Sequence, residues 1–270
     1  MKIGASVLFL LVILPLLAAL AAPLIAPYDP VYQDRAAASA KPSRAHWLGT
    51  DDYGRDLWSR YLHGTRWSVS IGMGATVVVL VVGWTIGSLA GFQGGWVDRL
   101  LMQIAEMFLV IPWLYLLIAV RAALPPSLTP HGAFGILLLA IALTGWARPA
   151  RVLRGMVLSL RQKEYVASAL GFGVGSFTVY FRHILPGTYG LLATQVLLLL
   201  PRFVLAEVTL SYMGFGVGEP EPSWGTLILP LKQVYLLREE WWRALPVLLM
   251  IPFFAGLSVL ARNLERRFSG

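Results

Sequence analysis

Residues 68–91 read SVSIGMGATVVVLVVGWTIGSLAG, 24 positions without a charged side chain. A helix needs about 20 apolar residues to cross roughly 30 Å of hydrocarbon. This stretch is long enough to span a bilayer. The same pattern recurs on both sides of it. Residues 3–26 and 244–261 are free of charge, 101–120 contain only Glu106, and 190–213 carry Arg202 and Glu207. Residues 134–147 are the shortest such run. Together the six runs predict an all-α membrane protein with six transmembrane helices.

Composition agrees. Of 270 residues, 57% are hydrophobic and 13% charged, against about 25% charged in soluble domains. Such a chain cannot cover its apolar interior with polar surface, which excludes a soluble enzyme and intrinsic disorder. With no cysteine there is no disulfide, thiolate nucleophile or cysteine zinc site. The four histidines (46, 63, 131 and 183) form no HExxH pattern. The first run has a rival reading as a secretory signal, because Lys2 precedes it and Ala18, Ala19, Ala21 and Ala22 close it. A signal h-region is about 7–15 residues. The run spans 24 residues, so a retained helix is expected.

The net charge of +8 could indicate nucleic acid or a membrane. Its distribution decides. With the N-terminus in the cytoplasm, six crossings return the C-terminus there. Eleven Lys and Arg then lie inside with three acids, and the outer side is close to neutral. The dense clusters Arg148–Arg151–Arg154 and Arg262–Arg266–Arg267 both fall inside. Positive-inside topology therefore accounts for the basic character without nucleic acid.

Three loops stand out. Residues 27–67 contain HWLGTDDYGRDLWSR (46–60), and 214–243 contain GVGEPEPSWG (216–225). The internal loop, 148–189, contains RQKEYVASALGFGVGSFTVYFRHILPG (161–187). The last reads as a short helix, a break at Gly171, Gly173 and Gly175, and a second short helix that Ser176 can cap. It is either a connector on the bilayer surface or a docking helix whose small residues admit a partner.

Chemistry of other kinds finds little support. No GxxxxGK[ST] phosphate loop is present. Gly171, Gly173 and Gly175 follow no strand and lack dinucleotide spacing. Asp51, Asp52 and Asp56 could hold Mg²⁺, but a membrane-embedded enzyme of that kind needs a second acidic cluster, and Glu239 and Glu240 adjoin Arg238 and Arg243. Turn and cap chemistry, with Arg55 and Asp56 pairing locally, is the simpler expectation. Glu106, Arg202 and Glu207 should face protein or a water cavity, because charge in the bilayer is costly. They read as interhelix polar contacts or as pathway residues. Arg202 and Glu207 sit about 140° apart around a helix, so each should find a partner elsewhere. An ion-coupled secondary transporter would need inverted repeats and midplane ligands, and no clear repeat is visible. Prolines 112, 201, 246 and 252 fall inside the runs and suggest kinks.

Four blocks resemble one family. They are HWLGTDDYGRDLWSRYLHGTRWSVSIG (46–72), GGWVDRLLMQIAEMFLVIP (94–112), EYVASALGFG with RHILPG (164–187) and LAEVTLSYMGFGVGEPEPSWG (205–225). In order and spacing the chain is similar to the permease subunits of ATP-binding-cassette importers, in the dipeptide/oligopeptide/nickel group, of the second permease type. The resemblance implies a type I importer permease fold. Residues 1–66 would be an N-terminal helix plus external segment, and 67–270 the permease domain with its coupling loop at 148–189. It implies an inner-membrane protein, not itself catalytic, with both termini cytoplasmic. Its implied partners are a second homologous permease, two cytoplasmic ATPases that carry the ATP and Mg, an extracytoplasmic binding protein and membrane lipid. The implied cargo is a peptide or a related small solute, with no cofactor bound by this chain.

The resemblance also assigns ATPase coupling to Glu164, Tyr165, Val166, Ala167, Ser168, Ala169, Gly171, Phe172, Gly173 and Pro186. One departure stands in the family's Glu-Ala-Ala motif. Here Ala167 replaces the glutamate, and Glu164 lies three residues earlier. Contacts through Tyr165, Val166 and Phe172 and the glycine break would then carry more of the docking.

Overall fold

The computed structural model describes residues 5–123, 129–233 and 238–268. Lys2 and the side chains of Arg266 and Arg267 lie outside the described residues. The described residues form helices joined by turns and by a long non-helical segment before Leu57, with one isolated bridge between Thr50 and Asp56. The longer helices are α1 (Ala5–Leu20), α2 (Leu57–Gln93), α3 (Gly95–Val110), α4 (Trp113–Ala122), α5 (Pro130–Gly145), α6 (Ala147–Arg161), α7 (Glu164–Gly171), α8 (Tyr189–Tyr212), α9 (Trp224–Ile228) and α10 (Leu245–Phe268).

Helix α2 organises the rest. Its 37 residues extend about 55 Å at 1.5 Å per residue. It begins where the Asp56 carboxylate accepts the Ser59 N–H at 2.7 Å, a charged N-cap. It ends at Gly94, which takes φ +69°. Gly83, Gly87 and Gly91 repeat every four residues and so share one face. Helix α6 lies on that face. A Cβ added at Gly87 would sit 2.2 Å from the Ala150 carbonyl oxygen. Small residues let membrane helices approach this closely.

Two cores flank α2. On one side Ile71, Val79, Leu137, Ile141, Phe203 and Leu210 join α2, α5 and α8. On the other, Val12, Leu62, Val204, Trp224, Phe253 and Leu257 join α1, α2, α8, α9 and α10.

Three helices are long and apolar enough to cross a membrane: Leu57–Gln93, Ser176–Tyr212 and Trp241–Asn263. Two further crossings qualify only as bent pairs, and Leu10–Leu20 is apolar but short. With that short helix they are roughly consistent with the six crossings read from the sequence, but the second bent pair, His131–Gly145 with Ala147–Arg161, takes in residues 148–161 that the sequence reading placed in the internal loop. The third crossing differs from a straight span. It bends by 88° between Val110 and Trp113. Ile111 is extended (φ −75°, ψ 128°), as a residue before proline prefers. Pro201 and Pro252 lie within α8 and α10. Pro246 does not kink its helix, because it stands in the first turn, where a missing N–H is tolerated.

The ends of the molecule are distinct. At the N-terminal end of α2, segments 27–56, 214–233 and 238–244 fold together. Arg60 donates to the Glu219 carboxylate at 2.9 and 3.1 Å, and Arg243 pairs with Asp52. At the other end lie the Arg154–Asp98 pair and the glycine-broken segment.

Candidate functional site

Helix α7 opens at Glu164, whose carboxylate in the first turn favours the helix dipole. It closes through two backbone bonds: Gly173 N–H to Leu170 C=O at 3.0 Å and Val174 N–H to Ala169 C=O at 3.1 Å. This is a Schellman closure with Gly173 at the position after the cap. Gly173 has φ +79°, the left-handed region that a Cβ disfavours. Gly175, not Ser176, occupies the cap position of the next short helix, Ser176–Val179. A π-helical turn over Tyr180–Ile184 follows, closed by Leu185 N–H to Tyr180 C=O at 2.9 Å. A short 3-10 turn, Pro186–Thr188, leads into α8.

The segment has an inner and an outer face. Val166, Val179 and Ile184 are buried against Val157 and Leu160 of α6. Each such side chain contributes about 1.5–3 kcal/mol over exposure. Polar contacts add to this. Ser88 and Tyr180 share a hydrogen bond at 2.6 Å, and Trp84 donates to Thr188 at 3.0 Å. Arg161 donates to the Gly91 carbonyl at 3.1 Å. The segment is thus fastened to α2 and α6 and continues directly into α8.

The outer face is apolar and open. Phe172 is 89% exposed, and Tyr165, Leu170, Phe177 and Phe181 are also exposed. Glu164, Ala167, Ser168, Gly171, Gly173 and Pro186 are exposed as well, with Ala169 half-buried. Val166 differs. It is 1% exposed and packs inward, so its side chain fastens the segment and offers nothing to a partner. Sequence reasoning missed Leu170, Phe177 and Phe181. The spacing of Phe177 and Phe181, one turn apart with ring centroids at 4.5 Å, was the available signal.

Glu106, Arg202 and Glu207 do not meet. Glu106 is exposed and 3.8 Å from Arg151, at a cleft of about 260 Å³ that Asp98 and Arg154 also line. Arg202 lies over the Trp113 ring, 5.7 Å from its centroid. Glu207 is fully buried and accepts from Ser211 at 2.6 Å, one turn along its own helix.

The acidic loop is structural. Asp51 accepts the Tyr53 and Arg55 N–H groups at 2.9 and 3.0 Å, and Gly54 turns at φ +75°. Arg55 pairs with Asp51 and Glu219, not with Asp56 as expected. Asp56 instead caps α2 and meets His46 Nδ1 at 2.9 Å. Among the described residues no group of three or more His, Asp or Glu could hold a metal.

Comparison with known proteins gives a coherent set of relatives. The model for binding-protein-dependent transport system inner membrane components matches residues 83–270. The dipeptide transport system permease protein DppC of Bacillus subtilis is 33% identical over 265 residues, covering 97% of this chain and 78% of that protein. The oligopeptide transport system permease protein OppC of the same organism is 37% identical, covering 83% of this chain and 71% of that protein. The glutathione transport system permease protein GsiD of Pectobacterium atrosepticum is 36% identical, covering 75% of this chain and 65% of that protein.

Proposed function

Because this chain belongs to the family of binding-protein-dependent transport system inner membrane components, we propose that it moves peptides or a related small solute inward and that residues 164–187 are the handle through which ATP drives it. The chain is a multi-pass permease subunit of an ATP-driven importer and is not itself catalytic. It works in a complex with cytoplasmic ATPases and a substrate-binding protein. In the proposed arrangement a second, homologous permease closes the pathway, and two ATPases sit beneath the pair. Both termini and the handle face the cytoplasm, and the 27–56 and 214–233 segments receive the binding protein outside.

One observation carries the coupling role: a single short segment is rigidly fastened on one face and presents exposed aromatic rings on the other. A partner that changes shape can move the spans only through a contact that differs between its two states. Phe172, Phe177, Leu170 and Tyr165 supply the surface to grip. The fixed face, through Val166, Val179, Ile184 and the Ser88–Tyr180 bond, passes the displacement to α2 and α6. Ala167 is outward-facing, so docking at that point rests on apolar contact and on Glu164 one turn before it.

The test is the complete transporter in proteoliposomes. A Phe172→Ala, Phe177→Ala variant should keep its ATPases less tightly and lose at least about tenfold of ATP-driven peptide uptake. Uptake equal to wild type would overturn the coupling role.

A further inference from the structure

At the end of α2 opposite the handle, a cavity of about 470 Å³ opens between α2, the start of α5 and the loop before α9. We infer that it binds a zwitterionic peptide, taking the α-carboxylate at Arg66 and the α-ammonium at Glu221. This rests on the peptide reading of the transporter and names where such a cargo would be held on this chain.

The lining supports that ligand chemistry. His63, Arg66 and Ser70 recur at three- and four-residue intervals, so they share one face of α2. His131, in the first turn of α5, comes edge-on to the Trp67 ring with centroids at 5.5 Å. Phe134, one turn on, meets the same ring at 5.8 Å. The cavity therefore has an aromatic wall, a guanidinium, a carboxylate and two imidazoles. A pocket of a few hundred Å³ with an apolar wall and a few convergent polar groups is the usual form of a small-molecule site.

Several neighbouring charges are already paired, whereas these two line the cavity. At this end, Glu219 is held by Arg55 and Arg60, and Asp51 by Arg55. Arg243 is held by Asp52 and Glu240. Glu221, two residues from Glu219, and Arg66, six from Arg60, have no ion-pair partner among the described residues. Both line the cavity. A ligand carrying one charge of each sign satisfies both, and guanidinium and carboxylate each form charge-assisted hydrogen bonds with its termini. A purely anionic or purely cationic ligand would leave one of them opposed.

The test uses the purified transporter complex in nanodiscs without its binding protein, titrated with dialanine, N-acetyl-dialanine and dialanine amide. Dialanine should bind wild type saturably. Arg66→Ala should weaken dialanine at least about tenfold and leave dialanine amide unchanged. Glu221→Gln should weaken dialanine similarly and leave N-acetyl-dialanine unchanged. Arg66→Lys should restore part of the loss. A structural role would not produce this crossed pattern. Equal affinities in wild type and both variants, equal losses for all three probes, or no dialanine binding would overturn the site. ATP-driven dialanine uptake by the same complex with its binding protein separates the two readings. Intact uptake with no crossed pattern removes the site alone, and an active ATPase with no uptake of any of several di- and tripeptides removes the peptide reading.

Discussion

Gly173 is surrounded by open space, with no atom within 4 Å of where a Cβ would be. Within this chain a side chain there meets no neighbour, so its cost to the fold is that of the backbone alone. A left-handed conformation costs an L-residue about 1–2 kcal/mol, and asparagine tolerates it best. Molecules of ATP hydrolysed per solute transported should therefore rise in the order wild type, Gly173→Asn, Gly173→Ala, Gly173→Val. A flat series would mean that the closure of α7 does not transmit motion. Asp52 gives a second test at this scale. The hydrogen bond from Arg243 holds its carboxyl below the ordinary 3.8. Its contribution is then present above the unfolded pKa and is lost as pH falls through the lower folded value. Asp52→Asn should lower the unfolding temperature at pH 7, and the difference from wild type should shrink below pH ~3.8. Thermal unfolding in detergent at the two pH values measures this. At residue scale the sequence was partly legible. The break at Gly171, Gly173 and Gly175 was legible because glycine ends helices, but which of the three takes the left-handed conformation was not. Val166 could not be placed, because α7 has only eight residues and so short a helix leaves its buried face undetermined. The Arg60–Glu219 contact joins residues 159 apart, and no local pattern reveals it.

At the scale of elements, the α2–α6 contact is set by glycine spacing. Gly87 meets the Ala150 backbone, whereas Gly155 in α6 meets nothing within 4 Å. The same substitution should therefore have opposite effects. Gly87→Ala forces the helices apart and should destabilise by about 1–3 kcal/mol. Gly155→Ala relieves helix-interior glycine and should stabilise by up to about 1 kcal/mol. Unfolding temperatures of the two variants, measured side by side, check both signs. Most long helices were legible from their apolar runs, because a bilayer demands continuous hydrophobic length; α6 was not, because its arginines placed residues 148–161 in the internal loop. The interruptions of the helices were less legible. Pro112 marked a break, but the 88° angle depends on how α3 and α4 pack. The π-helical turn at Tyr180–Ile184 has no sequence signature. It coincides with two bonds to α2, Tyr180 with Ser88 and Thr188 with Trp84.

Across the whole molecule, α2 links two ends with different chemistry. One end gathers the fixed ion pairs and the His63–Glu221 cavity. The other carries a segment that is fastened inward and aromatic outward. The proposed function requires these ends to be on opposite sides of the membrane and the aromatic face to be held by an ATPase. The absence of cysteine from the sequence allows a direct examination by site-specific cross-linking. Ala167→Cys, on the open face of α7, is paired through a short bifunctional reagent with the ATPase in the assembled transporter. The account predicts a permease–ATPase cross-link whose yield changes when ATP is added, and almost none from the inward-facing Val166→Cys. Labelling of Ala167→Cys by an impermeant thiol reagent from outside intact cells, with no cross-link to the ATPase, would contradict it.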